Sequence, residues 1–436
     1  MKKHTVMATF LTIAGWAVVG FLSCKKDGPV QPPAPSIQLT AEGGASTDVL
    51  LRMKLTDSAG PKGVALLRDG QAVLTLQLRT SDSLIIDEGL APRHTYTYKA
   101  VRLQDTTAVD VSAPVQVTTM DTTSHDWVFD QPVLLGDGGS SVFYDCQIIN
   151  DTLAYAVGEI YLLDSTGHVD PIHYNLAVWN GRQWHCEKLR YQGVPPVTRC
   201  VFAVTERDVW FDPWFHWDGE HYTEIPIDPN LFGVTWIKMW GRPQSEMYIV
   251  GDGGAIASSA DHGITWQRVE SGTTETINDV WGGSNPLLGE NVVMAAAGTP
   301  GMPGSQTKLL LLRASSMHAD TLPWQGMSTT RSSVWFDRNS RIYTCGRGVY
   351  VSSNDGWRRL SDLPAVYTWM VRGNGPNDIM VCGEDGLLMH FNGSTWRISP
   401  EVSLSFGRFY SVAIKGNLVV AVGWLGNRAV SVVGHR

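Results

Sequence analysis

From Trp127 onward, this chain repeatedly writes a hydrophobic strand that closes on glycine. The runs are "LAYAVG", "MYIVG", "VVMAAAG", "IYTCG", "DIMVCG" and "VVAVG", and their glycines are residues 158, 251, 298, 346, 383 and 423. A turn followed by an aromatic residue comes after most of them, as in "WNGRQW", "WDGEHY", "SADHGITW", "NDGW" and "FNGSTW". A third piece comes before: "WIKMWG", "INDVWGG", "RSSVWFD", "TWMVRGNG" and "YSVAIKGN". Self-similarity at a regular interval constrains a long chain more than any local propensity, because each unit must bury its face against the next. One unit reads strand, turn, strand, loop, strand, turn, strand. The wide interval between Gly158 and Gly251 conceals a further copy, "RDVWFDPWFHWDG", without the glycine.

Four short antiparallel strands per unit describe a β-propeller blade. Seven units occupy about 310 residues, near the ~40–45 per blade of propeller repeats. The expected fold is all-β, with a seven-bladed propeller over residues 121–436. Six or eight blades stay open because the copy around Val209 is degenerate. The last unit ends at "RAVSVVGHR" with three strands, and "HDWVFDQPVLL" (residues 125–135) can supply the fourth and close the ring. The 17 Trp and 44 Gly suit many short strands joined by tight turns. A net charge of −8 with no basic block argues against nucleic acid.

Ahead of the repeats lie "SIQLTAE", "TDVLLRMKLTD", "GVALLRDGQAVLTLQL", "DSLIIDEGL", "HTYTYKAVRLQ" and "APVQVTTM", whose period-2 alternation predicts a small β-sandwich over residues 37–120. Within it "GLAPRHTY" sets Leu90, Pro92 and Tyr96 in the arrangement of fibronectin type III domains, which this segment resembles. There the tyrosine hydroxyl ties a strand start to the preceding corner. The usual tryptophan of the second strand is replaced by Leu51, Met53 and Leu55. Residues 24–36 are Pro-rich and read as an extended tether. Residues 1–23, two lysines and an apolar run, have the order of a signal peptide. The boundary "FLSC" resembles the lipobox of bacterial lipoproteins, which implies cleavage before Cys24 and lipidation of its thiol. The alternative is a retained membrane anchor. The resemblance implies a lipid-anchored envelope protein, at the outer membrane and facing the periplasm or the cell surface. Of the remaining Cys146, Cys186, Cys200, Cys345 and Cys382, none has zinc-site spacing. Cys345 and Cys382 occupy matching strand positions and read as small hydrophobes.

The octet "SADHGITW" carries Ser259, Asp261, Gly263, Thr265 and Trp266 at the spacing of an Asp box. The repeat portion thereby resembles Asp-box propellers of the BNR and photosystem II assembly factor-like type. In such a turn Asp261 accepts backbone amides, Gly263 takes a conformation closed to most residues, and Trp266 is buried between layers. The box is scaffold, on the face opposite the usual binding face. Sialidases on this scaffold add an Arg-Ile-Pro motif, absent here, together with an arginine triad and a tyrosine nucleophile. No G-x-S-x-G, H-E-x-x-H or Walker loop occurs either. Asp145 and Asp279 can line the central channel, where a pair could serve glycoside hydrolysis, but turn and capping duties are the expectation. "GDGG" (Gly251 to Gly254) reads as a two-residue hairpin turn.

Loops longer than a hairpin requires are where function tends to sit. Two qualify: "EIYLLDSTGHVDPIHYN" in the first unit and "GTPGMPGSQTK" in the fourth. The first offers Tyr161, Asp164, His168, Asp170, His173 and Tyr174 as ligand-binding candidates. Ring closure would flank it with Trp424 and Trp214, and flat aromatics beside polar groups suit a glycan or a protein partner. The competing reading makes Trp214 core and the loop a solvated insertion. Asp164, His168, Asp170 and His173 match no standard metal spacing, so no metal and no cofactor is expected. The expected function is non-catalytic binding of an envelope or extracellular partner through the propeller face. The alternative is a carbohydrate-active enzyme, glycosidase or sialidase-like, on the same disc.

Overall fold

The computed structural model describes residues 35–56, 62–78, 80–211, 215–225, 228, 231, 235–299, 307–313, 316–322 and 331–436. Cys24, Trp214 and residues 300–306 of the second long loop lie outside the described residues. No helix among the described residues is long and apolar enough to cross a membrane.

The chain is all-β. Two sheets come first. Ile37–Gly44, Asp48–Leu55 and Asp82–Glu88 form one, in that order. The other runs Gln71–Gln77, Gly63–Arg68, Thr95–Gln104, and the last of these also pairs with Thr107–Val111 and Val115–Thr118. Alternation sorts the faces: Ile37, Val49, Leu51, Met53, Val64, Leu66, Tyr98 and Ala100 form a shared core between the sheets. Leu51 and Met53, which stand where a tryptophan was expected, are fully buried. The Tyr96 hydroxyl accepts the Ala91 N–H at 2.9 Å, the corner contact that "GLAPRHTY" predicts.

Seven antiparallel sheets follow among the described residues, six of them with four strands in sequence order. Their innermost strands are Val142–Asn150, Val201–Thr205, Trp236–Gly241, Ile277–Asn285, Arg331–Trp335, Thr368–Gly375 and Arg408–Lys415. Each contacts the next, and the last returns to the first, so the sheets close into a ring. The degenerate copy around Val209 is a complete sheet of short strands, Val201–Thr205, Asp208–Phe211, Phe215–Trp217 and Tyr222–Glu224. In the last sheet, Val133–Leu135 and Val128–Phe129 both pair with Arg428–His435. The segment expected to complete the final unit does so. "GDGG" differs from expectation: Asp252–Gly254 is a 3-10 turn rather than a two-residue hairpin.

The repeated glycine has a specific cause. A β-bulge interrupts the start of six innermost strands, at 143/145, 236/238, 277/279, 331/333, 368/370 and 409/411. The bulge pushes the inner strand's backbone toward its partner. A Cβ on Gly158 would stand 2.0 Å from the Val142 carbonyl oxygen, and one on Gly423 2.0 Å from that of Arg408. Only glycine admits this approach.

The sandwich is docked on the ring. Arg341 reaches Asp48 at 3.2 Å and Glu88 at 2.7 Å, and Arg358 reaches Glu88 at 3.0 Å. Asn354 exchanges two 2.8 Å hydrogen bonds with the Ile86 backbone, and the Thr47 hydroxyl donates to the Gly393 carbonyl. Asn354 and Gly393 lie in hairpins between third and fourth strands. Among the described residues, the opposite face, where sheet-to-sheet connections enter the innermost strands, stays clear of the sandwich.

Candidate functional site

A bulge places two consecutive residues out of step with the pleat, which re-aims their side chains. Here it repeats around a ring. The bulged residues Tyr144, Ile237, Asn278, Ser332, Trp369 and Tyr410 line a cavity of about 150 Å³ at the mouth of the central channel, together with Arg199. The residue after each bulge turns inward: Asp145, Lys238, Asp279, Ser333, Met370 and Ser411 are all buried.

Those inward residues plug the channel. Lys238 donates to Asp145 at 2.5 Å, and Asp145 also accepts the Ser411 hydroxyl at 2.7 Å and the Val201 N–H at 3.1 Å. Arg372 grips Asp279 through two bonds of 2.9 and 2.6 Å, while Ser333 and the Val334 N–H supply two more. Asp145 and Asp279 therefore do line the channel, and the turn or capping duty expected for them is not their main one. A carboxylate held this way by a cation, a hydroxyl and a backbone N–H has its acceptor positions committed to the ring centre.

The mouth above the plug is aromatic. Trp369 meets Tyr410 edge-on at 5.1 Å and Tyr367 at 4.8 Å, and Tyr410 lies 6.4 Å from Tyr144. Guanidinium groups cover the rim: Arg199 lies 4.4 Å from the Tyr144 ring, and Arg408 5.8 Å from Tyr410 and 5.6 Å from Trp424. Glu384 fixes both parts, accepting the Trp369 indole N–H at 2.9 Å and pairing with Arg408 at 3.3 Å. Burial pushes the Tyr410 phenol above its ordinary value, against the opposing Arg408 charge. The mouth can grip flat or extended groups by stacking and by hydrogen bonds.

The residues singled out from sequence divide among several places. Trp424 joins the mouth rim through Arg408. Tyr161 lies 5.8 Å from His173, and its hydroxyl donates to Glu159 at 2.6 Å. Tyr174 carries the Lys188 ammonium 4.3 Å from its ring, and that ammonium also pairs with Asp170 at 2.6 Å. Asp164 accepts the Thr166 and His168 N–H groups at 2.8 and 3.0 Å, and the Thr166 hydroxyl bonds both Asp164 and the His168 ring. Asp164 and His168 are thus spent on their own turn. Sequence reasoning named neither Tyr144, Arg199, Trp369 nor Tyr410. The signal was available, because Ile237, Asn278, Ser332 and Trp369 each hold the second position of the repeated third piece.

The Asp box is a turn. Asp261 accepts the Thr265 N–H at 2.8 Å and its hydroxyl at 2.6 Å, and Ser259 accepts the Gly263 N–H at 2.7 Å. Gly263 has φ +81°, and a Cβ there would stand 2.3 Å from the Trp210 ring. Trp266 is half-buried rather than enclosed, and its indole N–H donates to the Gly263 carbonyl at 3.1 Å. Bonds from the Thr265 hydroxyl, the Thr265 amide and Ser259 lower the Asp261 carboxyl to about 2. A depressed folded-state value stabilises the fold above the unfolded value and is lost as pH falls through the folded one. Asp261→Asn is therefore expected to melt below wild type at neutral pH. The difference should close as pH drops from about 4 toward about 2. Paired thermal melts across that range check it, and a constant difference would point to another cause.

No protein-family model matches the sequence, and no curated protein matches it. Among solved structures the chain is similar to YCF48 bound to D1 peptide, at 16% identity and a TM-score of 0.52, over 72% of this chain and 95% of that one. It is also similar to YCF48 from Cyanidioschyzon merolae, at 15% identity and a TM-score of 0.48, over 70% and 99% of the two chains. At 16% identity the likeness to the first of these concerns architecture alone, and with the repeated four-stranded sheets it establishes that this chain carries a β-propeller.

Proposed function

We propose that this protein is a non-catalytic, envelope-anchored binding protein whose propeller mouth grips an extended segment of a protein partner. The observation that carries this reading is the ring of bulged residues, which sets Tyr144, Trp369 and Tyr410 beside Arg199 at one opening. Rigid aromatics supply large contact area at small entropic cost, and together with arginine they are enriched among the residues that carry protein binding. The structure of YCF48 with D1 peptide supports a peptide as the occupant. The enzymatic alternative finds no support in the channel, where both carboxylates are held by cations.

We read the seven sheets as seven blades. The first two sheets we assign to a fibronectin type III-like module, on their strand order and the Tyr96 corner. Since the module sits on the face opposite the mouth, a tether at residues 24–36 would turn the mouth away from the membrane. Cys24→Ala is expected to abolish acyl labelling and leave the protein unanchored; unchanged labelling would remove the lipoprotein reading.

The binding test compares wild type with Trp369→Ala and Tyr410→Ala in capture from envelope extract and on peptide and glycan arrays. Each aromatic truncation is expected to cost about 2–4 kcal/mol of binding, a thirtyfold loss or more, with a smaller change in melting temperature. Signal confined to glycans would replace the peptide reading with a lectin one. Undiminished capture by both variants would move the site elsewhere.

A further inference from the structure

On the face opposite the mouth, two neighbouring sheets bring three metal-ligating side chains to one point. Asp208 opens the second strand of one sheet and His216 lies in its third strand, while His262 sits in the Asp-box hairpin of the next. His216 Nε2 stands 2.9 Å from Asp208 Oδ1, and His262 Nε2 2.8 Å from Asp208 Oδ2. All three offered ligand atoms lie within 4.8 Å of one another, and among the described residues no other group of three meets that condition.

The surroundings hold the ligands without closing the site. The Trp210 indole N–H donates to Asp208 Oδ1 at 3.0 Å, fixing the carboxylate as an outer partner does in metal sites. The same indole lies 4.6 Å from the His216 ring and 6.0 Å from that of His262, so both imidazoles pack on it. Gly263, with no Cβ, is what lets Trp210 approach the hairpin that carries His262. The three side chains are 18–24% exposed. His216 and His262 border an open cavity of about 360 Å³, formed with Trp210, Ile225 and Ile264.

We propose that Asp208, His216 and His262 bind a divalent transition metal ion that pins the two sheets together and keeps a coordination position open to this cavity. Two imidazoles and one carboxylate form a borderline donor set, which favours Zn²⁺, Co²⁺, Ni²⁺ or Cu²⁺ over Mg²⁺ or Ca²⁺. Three protein ligands with a fourth position open is the form of reactive zinc sites rather than structural ones. Ligand distances of about 2.0–2.2 Å would place the ion among the three atoms, replacing the hydrogen bonds that now join them. Sequence spacing hid the group because its members are drawn from two units. The site is independent of the mouth and its occupant.

The test titrates Co²⁺ into the purified, untagged full chain after dialysis against chelator. Binding is read by calorimetry and by the visible absorption of low-coordinate cobalt. One ion per chain is expected, with a higher melting temperature and displacement by Zn²⁺. Asp208→Asn and His262→Gln should each weaken binding by on the order of a hundredfold or more and lose the visible bands. Circular dichroism confirms that both variants are folded, and His318→Gln, at an exposed histidine outside the group, should bind the ion as wild type does. Three results would overturn the proposal: no binding at micromolar Co²⁺, binding unchanged in both variants, or a melting temperature that follows pH but not metal. The last would leave a carboxylate shared by two histidines and nothing more.

Discussion

Replacing residues 121–135 with a Gly/Ser linker of equal length is expected to abolish the cooperative unfolding of the propeller. The segment contributes the outer strands of the last sheet, with Leu134 opposite Val430 and Phe129 opposite Gly434. Trp127, 8% exposed, packs in the same core as Phe129 and Leu134. The Arg436 guanidinium lies 4.6 Å from the Trp127 indole while holding Asp378 at 2.9 and 2.6 Å. Large apolar side chains contribute about 1.5–3 kcal/mol each on full burial. Losing several of them, together with two strand pairings, removes an amount comparable to the roughly 5–15 kcal/mol that keeps a domain folded. The exposed edge of Arg428–His435 would also invite self-association. Calorimetry and light scattering check both effects. A replaced chain that melts at the wild-type temperature would show that the ring does not depend on this closure.

The channel plug gives the second large effect. Asp279 is fully buried, and Arg372 holds it through two bonds of 2.9 and 2.6 Å. Asp279→Ala leaves the guanidinium buried beside Ser333 without its counter-charge, a change that costs about 3–5 kcal/mol. Replacing both partners, as Asp279→Leu with Arg372→Met, should recover most of that loss, because an apolar pair of similar volume carries no stranded charge. Urea unfolding of wild type and the two variants separates the cases. A single variant as stable as wild type would mean that the pair does not hold the ring centre.

The fold was legible because its signals are local and repeated. Closing glycines, Gly-Thr-Trp turns and the odd segment before the first unit all follow from backbone geometry, and each appears where the sequence placed it. The reason for the glycines was not legible, since the carbonyl of Val142 that excludes a Cβ from Gly158 comes from a different strand. The mouth was missed for a related reason. Loop length drew attention to residues 161–174, where Asp164 and His168 fold back on their own turn, whereas Tyr144, Trp369 and Tyr410 sit inside strands that read as core. A bulge cannot be seen in one strand alone, because its register belongs to the pair. Asp145 and Asp279 were correctly seen as channel candidates, but the cations that hold them, Lys238 and Arg372, come from other units 93 residues away in each case.

The central claim is that bulged strands at the channel mouth, rather than the long loop of the first unit, form the binding surface. Amide hydrogen exchange of the full chain, alone and with its captured partner, tests this most directly. Protection is expected at the starts of the innermost strands, around Tyr144, Trp369 and Tyr410, with residues 161–174 and the Asp-box hairpin unchanged. Protection confined to residues 161–174 or to the sandwich, with the mouth exchanging as in the free protein, would contradict it.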